Sequence, residues 1–475
     1  MASDTKGLPS AELPAKELSA EKLATKDSTV NESTTEYLPK TYLSTEELST
    51  KELAIDELPL IDLPTEEYSS DELSTEEFLT EKLPTEELPK KGCKKDDTDE
   101  HILYINPPLK VLSVNFNQDH TCFTCCTEVG LIVYNCEPLG EHARLIKDDV
   151  GSISQAQMIY RSNLIGMVSG GSRPLYPDNV LRIFCFKNNR IVREISCNSS
   201  IIAFRMRKDM IVVASLNHIH VFAFPEPTEV LFSLETPTNS KSLLEVSRML
   251  SCEKQVLIFP GHKIGSLNIV DIPDALEAVE KISPEELLLT ESHQSGDKTL
   301  AFTIQCHESE LSCIALNQQG TKIATTSAHG TLIRVWEVES RSQIVELRRG
   351  SDEATIYSMS FSLNTEYLSC ASDKGTLHIF AIEKLNLNKR LNVPNASNVL
   401  GKYGESMWAF ANITLPPECA SMVGFGKNNT VLGLGMDGTF HKYKFTEDGE
   451  ITREIYDIYL NSINFRKEYE CAIES

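Results

Sequence analysis

The chain shows two patterns of hydrophobic positions, which meet near residue 100. Before that point a leucine or an aromatic residue recurs every five positions, as at Leu43, Leu48 and Leu53, in units close to Leu-Ser/Pro-Thr-Glu-Glu. After it, short apolar runs alternate with Gly, Asn, Asp and Ser, which is typical of strands joined by turns. The pattern therefore divides the chain into two regions, 1–100 and 101–475.

The five-residue period of region 1–100 fits no regular structure. In a helix, leucines five residues apart are rotated by about 140° and spiral around the axis, and in a strand they fall on alternate faces. Prolines such as Pro9, Pro14 and Pro39 interrupt both structures. We predict a disordered, acidic, low-complexity tail. Three interpretations fit this tail: a solvating brush, a carrier of short docking motifs, and a tolerated repeat expansion.

Seven of the apolar runs after residue 100 resemble one another, each with an aromatic or aliphatic pair near its end. Corresponding positions in successive runs are 38 to 66 residues apart. A strand that recurs every 40–50 residues or so is the signature of four-stranded propeller blades. We therefore predict an all-β, seven-bladed propeller of the WD-repeat type, with insertions at 274–298 and 384–408. The runs are 131–136, 180–186, 218–224, 265–272, 331–338, 376–382 and 439–445.

Charge narrows the classes of partner. The formal net charge is −24, and residues 1–100 contribute 26 acidic and 11 basic side chains, a net of −15. The remainder of the chain is therefore at −9, which opposes nonspecific binding to nucleic acid or to anionic lipid. No apolar run reaches the length of about 18 residues that a spanning helix needs, and the segment Met1–Asp4 does not resemble a secretory signal. We expect a cytoplasmic protein and a monomer.

The cysteines and the known catalytic motifs give little support to a metal site or an enzyme. Cys122, Cys125 and Cys126 have metal-like spacing, but no second pair follows them at a suitable distance. We predict that these three cysteines serve as small apolar side chains within a strand. No nucleophile elbow, P-loop or dinucleotide fingerprint is present in the sequence. A non-enzymatic protein without a metal or cofactor is therefore expected.

The segment Leu347-Arg348-Arg349-Gly350 closes a predicted strand between the fifth and sixth runs. Neighbouring residues of a strand point to opposite sides, so each arginine can serve its own pocket. Guanidinium is permanently charged and grips phosphate oxygens with two parallel hydrogen bonds, and Gly350 would let the backbone approach a ligand closely. The pair predicts an anion site, with solvated surface charge as the alternative. The blades on either side add His307, Ser327, Thr331, Arg334, Ser372, Lys374, Thr376 and His378.

The stretch 347–382 resembles the hallmark region of the PROPPINs, WIPI-type propellers that bind polyphosphoinositides in autophagy. Segments 114–139, 170–184, 306–338 and 405–416 resemble the same family in the same order. The family motif is usually Phe-Arg-Arg-Gly, so Leu347 is a departure that keeps an apolar anchor with less ring packing. The likeness runs from about residue 105 to 445 and leaves the tail outside.

The resemblance implies a peripheral membrane scaffold that binds PI3P or PI(3,5)P2 at phagophore assembly sites and endosomal membranes. It assigns Arg348 to one lipid pocket and Arg349 to a second. The alternative is a WD-repeat scaffold whose arginines bind acidic peptides. The first pocket would contain His307, Ser327, Thr331 and Arg334, and the second Ser372, Thr376 and His378.

The resemblance implies two further contacts. In the family a loop of the sixth blade inserts into the bilayer, and residues 384–408 occupy that place, with an ordinary surface loop as the alternative. The family surface that receives the rod-shaped lipid-transfer protein of autophagy includes the segment 115–119, which implies contacts by Asn117 and Asp119. A β-turn between strands is the other interpretation and is compatible with binding. The apolar residues of the insertion are Leu385, Leu387, Leu391, Val393, Leu400 and Trp408.

Overall fold

A computed structural model describes residues 110–146, 150–225, 230–248, 251–280, 301–390, 406–416 and 419–460. The tail predicted for 1–100 lies outside these residues. Within them, no helix is long and apolar enough to cross a bilayer.

Each of the first four blades is an antiparallel sheet of four strands in chain order. Their strands are β1 (Val111–Phe116), β2 (Cys122–Thr127), β3 (Gly130–Cys136), β4 (Leu139–Leu145), β5 (Gly151–Met158), β6 (Leu164–Pro174), β7 (Val180–Cys185), β8 (Arg190–Ser196), β9 (Ala203–Met206), β10 (Met210–Ala214), β11 (His218–Ala223), β12 (Val230–Glu235), β13 (Glu245–Val246), β14 (Val256–Pro260), β15 (Ser266–Asp271) and β16 (Ala301–Gln305). Helix α1 (Ile272–Glu280) follows β15 and begins the insertion predicted at 274–298.

The last three blades repeat this plan, except that the fifth sheet gains two strands from the sixth-blade insertion. Their strands are β17 (Leu311–Leu316), β18 (Lys322–Ser327), β19 (Leu332–Glu337), β20 (Gln343–Arg348), β21 (Ile356–Phe361), β22 (Tyr367–Ser372), β23 (Thr376–Ala381), β24 (Lys389–Arg390), β25 (Met407–Trp408), β26 (Ala411–Thr414), β27 (Ser421–Phe425), β28 (Thr430–Gly435), β29 (Thr439–Phe445) and β30 (Ile451–Ile458). A 3-10 helix, Leu385–Leu387, precedes β24.

The prediction of seven blades is confirmed. Each of the seven similar runs forms the third strand of one sheet: β3, β7, β11, β15, β19, β23 and β29. The first strands surround a central cavity of about 230 Å³, because every one of them contributes to its lining. After β29 the chain forms the outer strand of the seventh blade, β30.

Both faces of each blade are packed against a neighbour. Seven clusters of buried hydrophobic side chains occupy the seven gaps between blades. The second strands are therefore mostly buried, and β2, β10 and β22 are buried along their whole length. Their sequences are continuous runs of apolar or small residues. Cys122, Cys125 and Cys126 lie in β2 and are at most 1% exposed, as the strand interpretation predicted.

The ring closes by side-chain packing between the first and last blades. Phe123 and Tyr134 of the first blade share a cluster with Phe440 and Tyr459 at the end of the seventh. His120 Nδ1 accepts a hydrogen bond from the Phe425 N–H at 3.1 Å. Within the described residues each of these two sheets is built from the strands of its own blade alone.

We expect the propeller to lose stability as the pH falls below about 6.5. Burial lowers the pKa of His120 to about 3 and that of His307 to about 4. Both imidazoles stay neutral in the folded protein, whereas the unfolded chain takes up protons near pH 6.5. Acid therefore favours unfolding, by about 1.4 kcal/mol per pH unit for each histidine between pH 6.5 and its folded pKa. Urea unfolding at pH 7 and pH 5 measures the difference.

The matched control for the acid effect is His262, which is exposed. His120→Gln is expected to reduce the pH dependence of the unfolding free energy, whereas His262→Gln leaves it unchanged. A free energy of unfolding that is the same at pH 7 and pH 5 in the wild-type protein would contradict the account.

Candidate functional site

The register of the fifth blade separates the two arginines. β19 and β20 pair Leu332 with Arg348, Ile333 with Leu347, and Arg334 with Glu346. Residues opposite each other in a sheet have side chains on the same face, so Arg348 shares a face with Arg334 and Leu347 lies on the other. Leu347 is 0% exposed, which shows that leucine serves as the buried anchor of the motif.

Each face of the fifth blade looks toward a different neighbour. Leu347 and Ile333 belong to the cluster between the fifth and sixth blades. Ile323 and Trp336, on the opposite face, belong to the cluster between the fourth and fifth blades. Arg348 therefore lies on the fourth-blade side. Arg349, just beyond the end of β20, turns toward the sixth blade, where its charge contributes to lowering the pKa of His378.

Arg349 is 5% exposed. Its Nε donates to the Gly330 carbonyl at 2.9 Å, and its guanidinium also donates to the Asp352 carbonyl. Within the described residues no carboxylate lies within ion-pair distance of it. Burial of this charge lowers the pKa of Arg349. A buried guanidinium without a partner carboxylate is costly, and an anion bound beside it would offset that cost.

The position that Arg349 occupies after the outer strand of the fifth blade holds an uncharged side chain in other blades. After the outer strands of the fourth to seventh blades, one backbone N–H donates to the turn between the second and third strands: Cys306 to Gly265, Arg349 to Thr331, Leu415 to Gly375, and Tyr459 to Gly438. The side chains of Leu415, Tyr459 and Cys306 are buried, as is that of Arg349. The fold thus accepts an apolar residue at this position, so packing alone does not require arginine in the fifth blade.

Three predicted residues of the sixth blade share the face that looks toward Arg349. β22 and β23 pair Ser372 with Thr376 and Cys370 with His378, and Cys370 packs in the cluster between the fifth and sixth blades. Thr376 Oγ1 and His378 Nε2 are 3.0 Å apart. The buried Ser372 Oγ has no hydrogen-bond partner among the described residues. Burial and Arg349 together lower the pKa of His378 to about 4.

Arg334 and His307 also lie together, on the fourth-blade side. Arg334 Nη1 donates to the Cys306 carbonyl at 2.5 Å, and its Nε lies 2.8 Å from Glu346 Oε2. Burial, and to a lesser extent the charge of Arg334, lowers the pKa of His307 to about 4. The Nε2 atom of His307 lies 3.0 Å from Thr325 Oγ1. The carboxylate of Glu346 balances part of the charge of Arg334, a feature that the sequence analysis missed.

Ser327 and Thr331, both assigned to the first pocket, lie at the two ends of the turn between β18 and β19. Ser327 is 8% exposed at the end of β18. Thr331 offers its carbonyl to the N–H of Arg349, so its observed link is to the second arginine and not to Arg348. At Gly350 an added Cβ would meet no atom within 4 Å, which leaves open space beside the arginine pair.

The sixth-blade insertion begins and ends on the propeller. Leu385 and Leu387 are partly buried against the clusters on either side of the sixth blade, and Trp408 lies in β25 beside Arg348. These three residues therefore form the stems of the insertion, and their contact with a bilayer stays a prediction. Leu391, Val393 and Leu400 lie outside the described residues.

Asn117 closes the turn between β1 and β2. Asn117 is 3% exposed, its Oδ1 accepts from the Cys122 N–H at 3.1 Å, and its amide donates to the Tyr160 carbonyl at 3.2 Å. Asn317 closes the corresponding turn of the fifth blade with the same kind of bonds. Asn117 is thus a largely buried turn residue, the second of the two interpretations, and its partner contact stays a prediction. Asp119 is partly exposed, and its contact stays a prediction.

Sequence reasoning also missed two residues of β26. Asn412 lies opposite His378, and Thr414 lies opposite Thr376, so both share the face of the Arg349 pocket. A hydrogen bond with Asn412 acts to raise the pKa of His378 against the effect of burial. The insertion separates these residues from β23 along the chain, and only the strand register could have identified them.

Comparison with known proteins identifies the family. The PROPPIN family profile matches residues 110–439. An SVP1-like protein 2 from Pichia angusta is 29% identical over 355 residues, which span 72% of this chain and 92% of that protein. Autophagy-related protein 18e from Arabidopsis thaliana is 30% identical over 341 residues, spanning 71% and 84% of the two chains.

Solved structures show the same fold. Kluyveromyces lactis Hsv2 is similar with a TM-score of 0.56 at 20% identity, covering 74% of this chain and 99% of that one. KlAtg21, solved in complex with the coiled coil of AgAtg16, has a TM-score of 0.57 at 21% identity and covers 74% of this chain and 99% of its own. With the family profile matched over most of the propeller, the chain belongs to the PROPPIN family.

Proposed function

We propose that this protein is a non-enzymatic scaffold that binds PI3P and PI(3,5)P2 on autophagic and endosomal membranes. The buried guanidinium of Arg349 supports this most directly. Among the described residues no carboxylate lies within ion-pair distance of it, and other blades place uncharged residues at the same position. A phosphate would supply the missing charge, and Ser372, Thr376 and His378 would supply hydrogen bonds.

Arg348 would serve a second headgroup on the opposite face of the fifth blade. Two modest headgroup contacts held in one rigid sheet act together, since the first binding event raises the effective concentration for the second. The segment 391–405 between the stems would add apolar contact with the bilayer. Recruitment would then depend steeply on the local density of the lipid.

The proposed protein partner is the lipid-transfer protein of autophagy, with Asp119 at the contact. The second candidate function is a WD-repeat scaffold whose arginines bind acidic peptides without lipid. The solved complex of KlAtg21 with a coiled coil favours a protein partner for this fold, and such a partner is compatible with lipid binding elsewhere on the propeller.

Flotation with vesicles tests the proposed function. Vesicles of phosphatidylcholine with PI3P should carry the protein to the top of the gradient, whereas vesicles with the same amount of phosphatidylinositol should not, because the 3-phosphate is what the guanidinium groups would recognise. Equal flotation with both lipids, or none with either, would contradict the proposal. Binding to an acidic peptide but not to PI3P vesicles would support the scaffold alternative.

Headgroup binding in the Arg349 pocket is expected to strengthen as the pH falls from 7.5 to 5.5. Burial and Arg349 hold the pKa of His378 at about 4 in the free protein, so it is neutral throughout this range. A bound phosphate dianion favours the charged imidazolium and raises that pKa. Binding then takes up a proton, and affinity rises by at most about tenfold per pH unit.

The affinity of the Arg348→Ala variant for inositol 1,3-bisphosphate, measured by calorimetry across this pH range, reports on the Arg349 pocket alone. His378→Gln in that variant should remove the part of the pH dependence that remains after the titration of the free ligand is subtracted. Pocket binding that weakens at lower pH would contradict the expectation.

A further inference from the structure

The stems of the sixth-blade insertion extend the sheet of the fifth blade. β25 runs parallel to β20, pairing Leu347 with Met407 and Arg348 with Trp408. β24 then pairs antiparallel with β25, placing Lys389 opposite Trp408. β20 is therefore an interior strand of a six-stranded sheet, and Arg348 does not lie at a free edge.

Cross-strand neighbours share a face, so Arg348, Trp408 and Lys389 form one row across three strands. The contacts agree with this geometry, because Arg348 Nε donates to Ser406 Oγ at 2.9 Å and the guanidinium carbon lies 6.0 Å from the centroid of the Trp408 ring. Met407 lies on the other face and packs against the cluster between the fifth and sixth blades.

These contacts affect binding because arginine has a long side chain that loses rotamer entropy when a ligand orders it. A hydroxyl and an aromatic ring that hold the guanidinium before the ligand arrives reduce the ordering cost of binding. Lys389 is exposed and lies on the face of Arg348 and Arg334. Lys389 adds a positive charge to this face, on which the carboxylate of Glu346 offsets part of the positive charge of Arg334.

We propose that the Arg348 pocket is built on the insertion stems, an inference that rests on the proposed function. Ser406 and Trp408 are positioning residues for the Arg348 guanidinium, and Lys389 is a further binding residue for a phosphomonoester of the inositol headgroup. The pocket and the insertion then form one unit, so the stems contribute to headgroup binding even when no bilayer is present.

The experiment uses soluble inositol 1,3-bisphosphate, which cannot report bilayer insertion, and full-length protein. In an Arg349→Ala background only the Arg348 pocket is measured, and Ser406→Ala, Trp408→Leu and Lys389→Ala are each expected to weaken binding by about tenfold. In an Arg348→Ala background the same three substitutions should leave binding within about twofold, since they act through the other pocket. A general loss of folding would lower binding in both backgrounds.

Arg390→Ala is the matched control for Lys389→Ala. Arg390 is the next residue in β24, is exposed, and lies opposite Met407 on the other face, so its removal changes the net charge equally without touching the row. Equal losses from Lys389→Ala and Arg390→Ala, or no loss from any of the three substitutions in the Arg349→Ala background, would overturn this inference. Failure of the Arg349→Ala protein to bind while Arg348→Ala binds would overturn it too. Absence of binding by the wild-type protein would overturn the proposed function itself.

Discussion

Replacing both arginines, Arg348→Ala with Arg349→Ala, is expected to abolish binding to PI3P vesicles while leaving the propeller folded. Each guanidinium would form charge-assisted hydrogen bonds with a phosphate, worth about 1.5–3 kcal/mol, so the double loss should weaken binding roughly a hundredfold or more. Leu347 keeps the strand anchored, and the corresponding positions of other blades show that an uncharged residue fits in place of Arg349. Flotation measures the binding, and thermal unfolding checks the fold.

The control is a double substitution that removes the same charge elsewhere. Lys187→Ala with Arg190→Ala alters two exposed cations at the turn between β7 and β8 of the second blade and should float like the wild-type protein. If the arginine variant also floats like the wild-type protein, the lipid interpretation of the pair fails. If the control loses binding equally, diffuse surface charge is responsible.

Replacing segment 391–405 with a Gly-Ser linker of equal length is expected to weaken vesicle binding by roughly tenfold or more, because it removes the apolar residues Leu391, Val393 and Leu400. Binding of soluble inositol 1,3-bisphosphate should stay unchanged. The stems are kept, and they hold Arg348 through Ser406 and Trp408. Flotation and calorimetry on the same variant measure the two effects.

A second variant separates apolar contact from loop length. Restoring the three apolar residues alone within the linker should recover part of the vesicle binding. Full vesicle binding by the simple Gly-Ser variant would show that the segment is an ordinary surface loop. Loss of headgroup binding together with vesicle binding would show instead that the segment itself belongs to the pocket.

The number of blades could be predicted because each third strand is recognisable from a short run of consecutive residues. The runs ending at Cys136, Phe186 and Phe445 share a similar pattern of apolar residues and flanking turn residues. Because the pattern repeats along the chain, it predicted a structure built from repeated blades. Strand alternation predicted opposite directions for Arg348 and Arg349. The pairing of β19 with β20 places Arg348 on the fourth-blade side, and Arg349, beyond the end of β20, bonds to the Gly330 carbonyl and turns toward His378 of the sixth blade.

Other features depend on contacts between residues far apart in the chain, which one sequence does not disclose. Glu346 was within reach of the same alternation argument, since it lies two residues before Arg348, but its pairing with Arg334 needs the register of β19 and β20. Trp408 was taken as a loop residue because nothing local shows that it pairs with a strand 60 residues away in the chain. For Asn117 the sequence left a turn and a partner contact open, and the turn is visible only in its hydrogen bonds.

The central claim is that Arg348 and Arg349 complete separate pockets on opposite faces of one blade. Counting bound inositol 1,3-bisphosphate by calorimetry on the wild-type protein and the two single variants tests it most directly. We expect two sites per chain in the wild-type protein and one in each of Arg348→Ala and Arg349→Ala. A single site in the wild-type protein that either substitution abolishes would show that the two arginines share one ligand and would contradict the account.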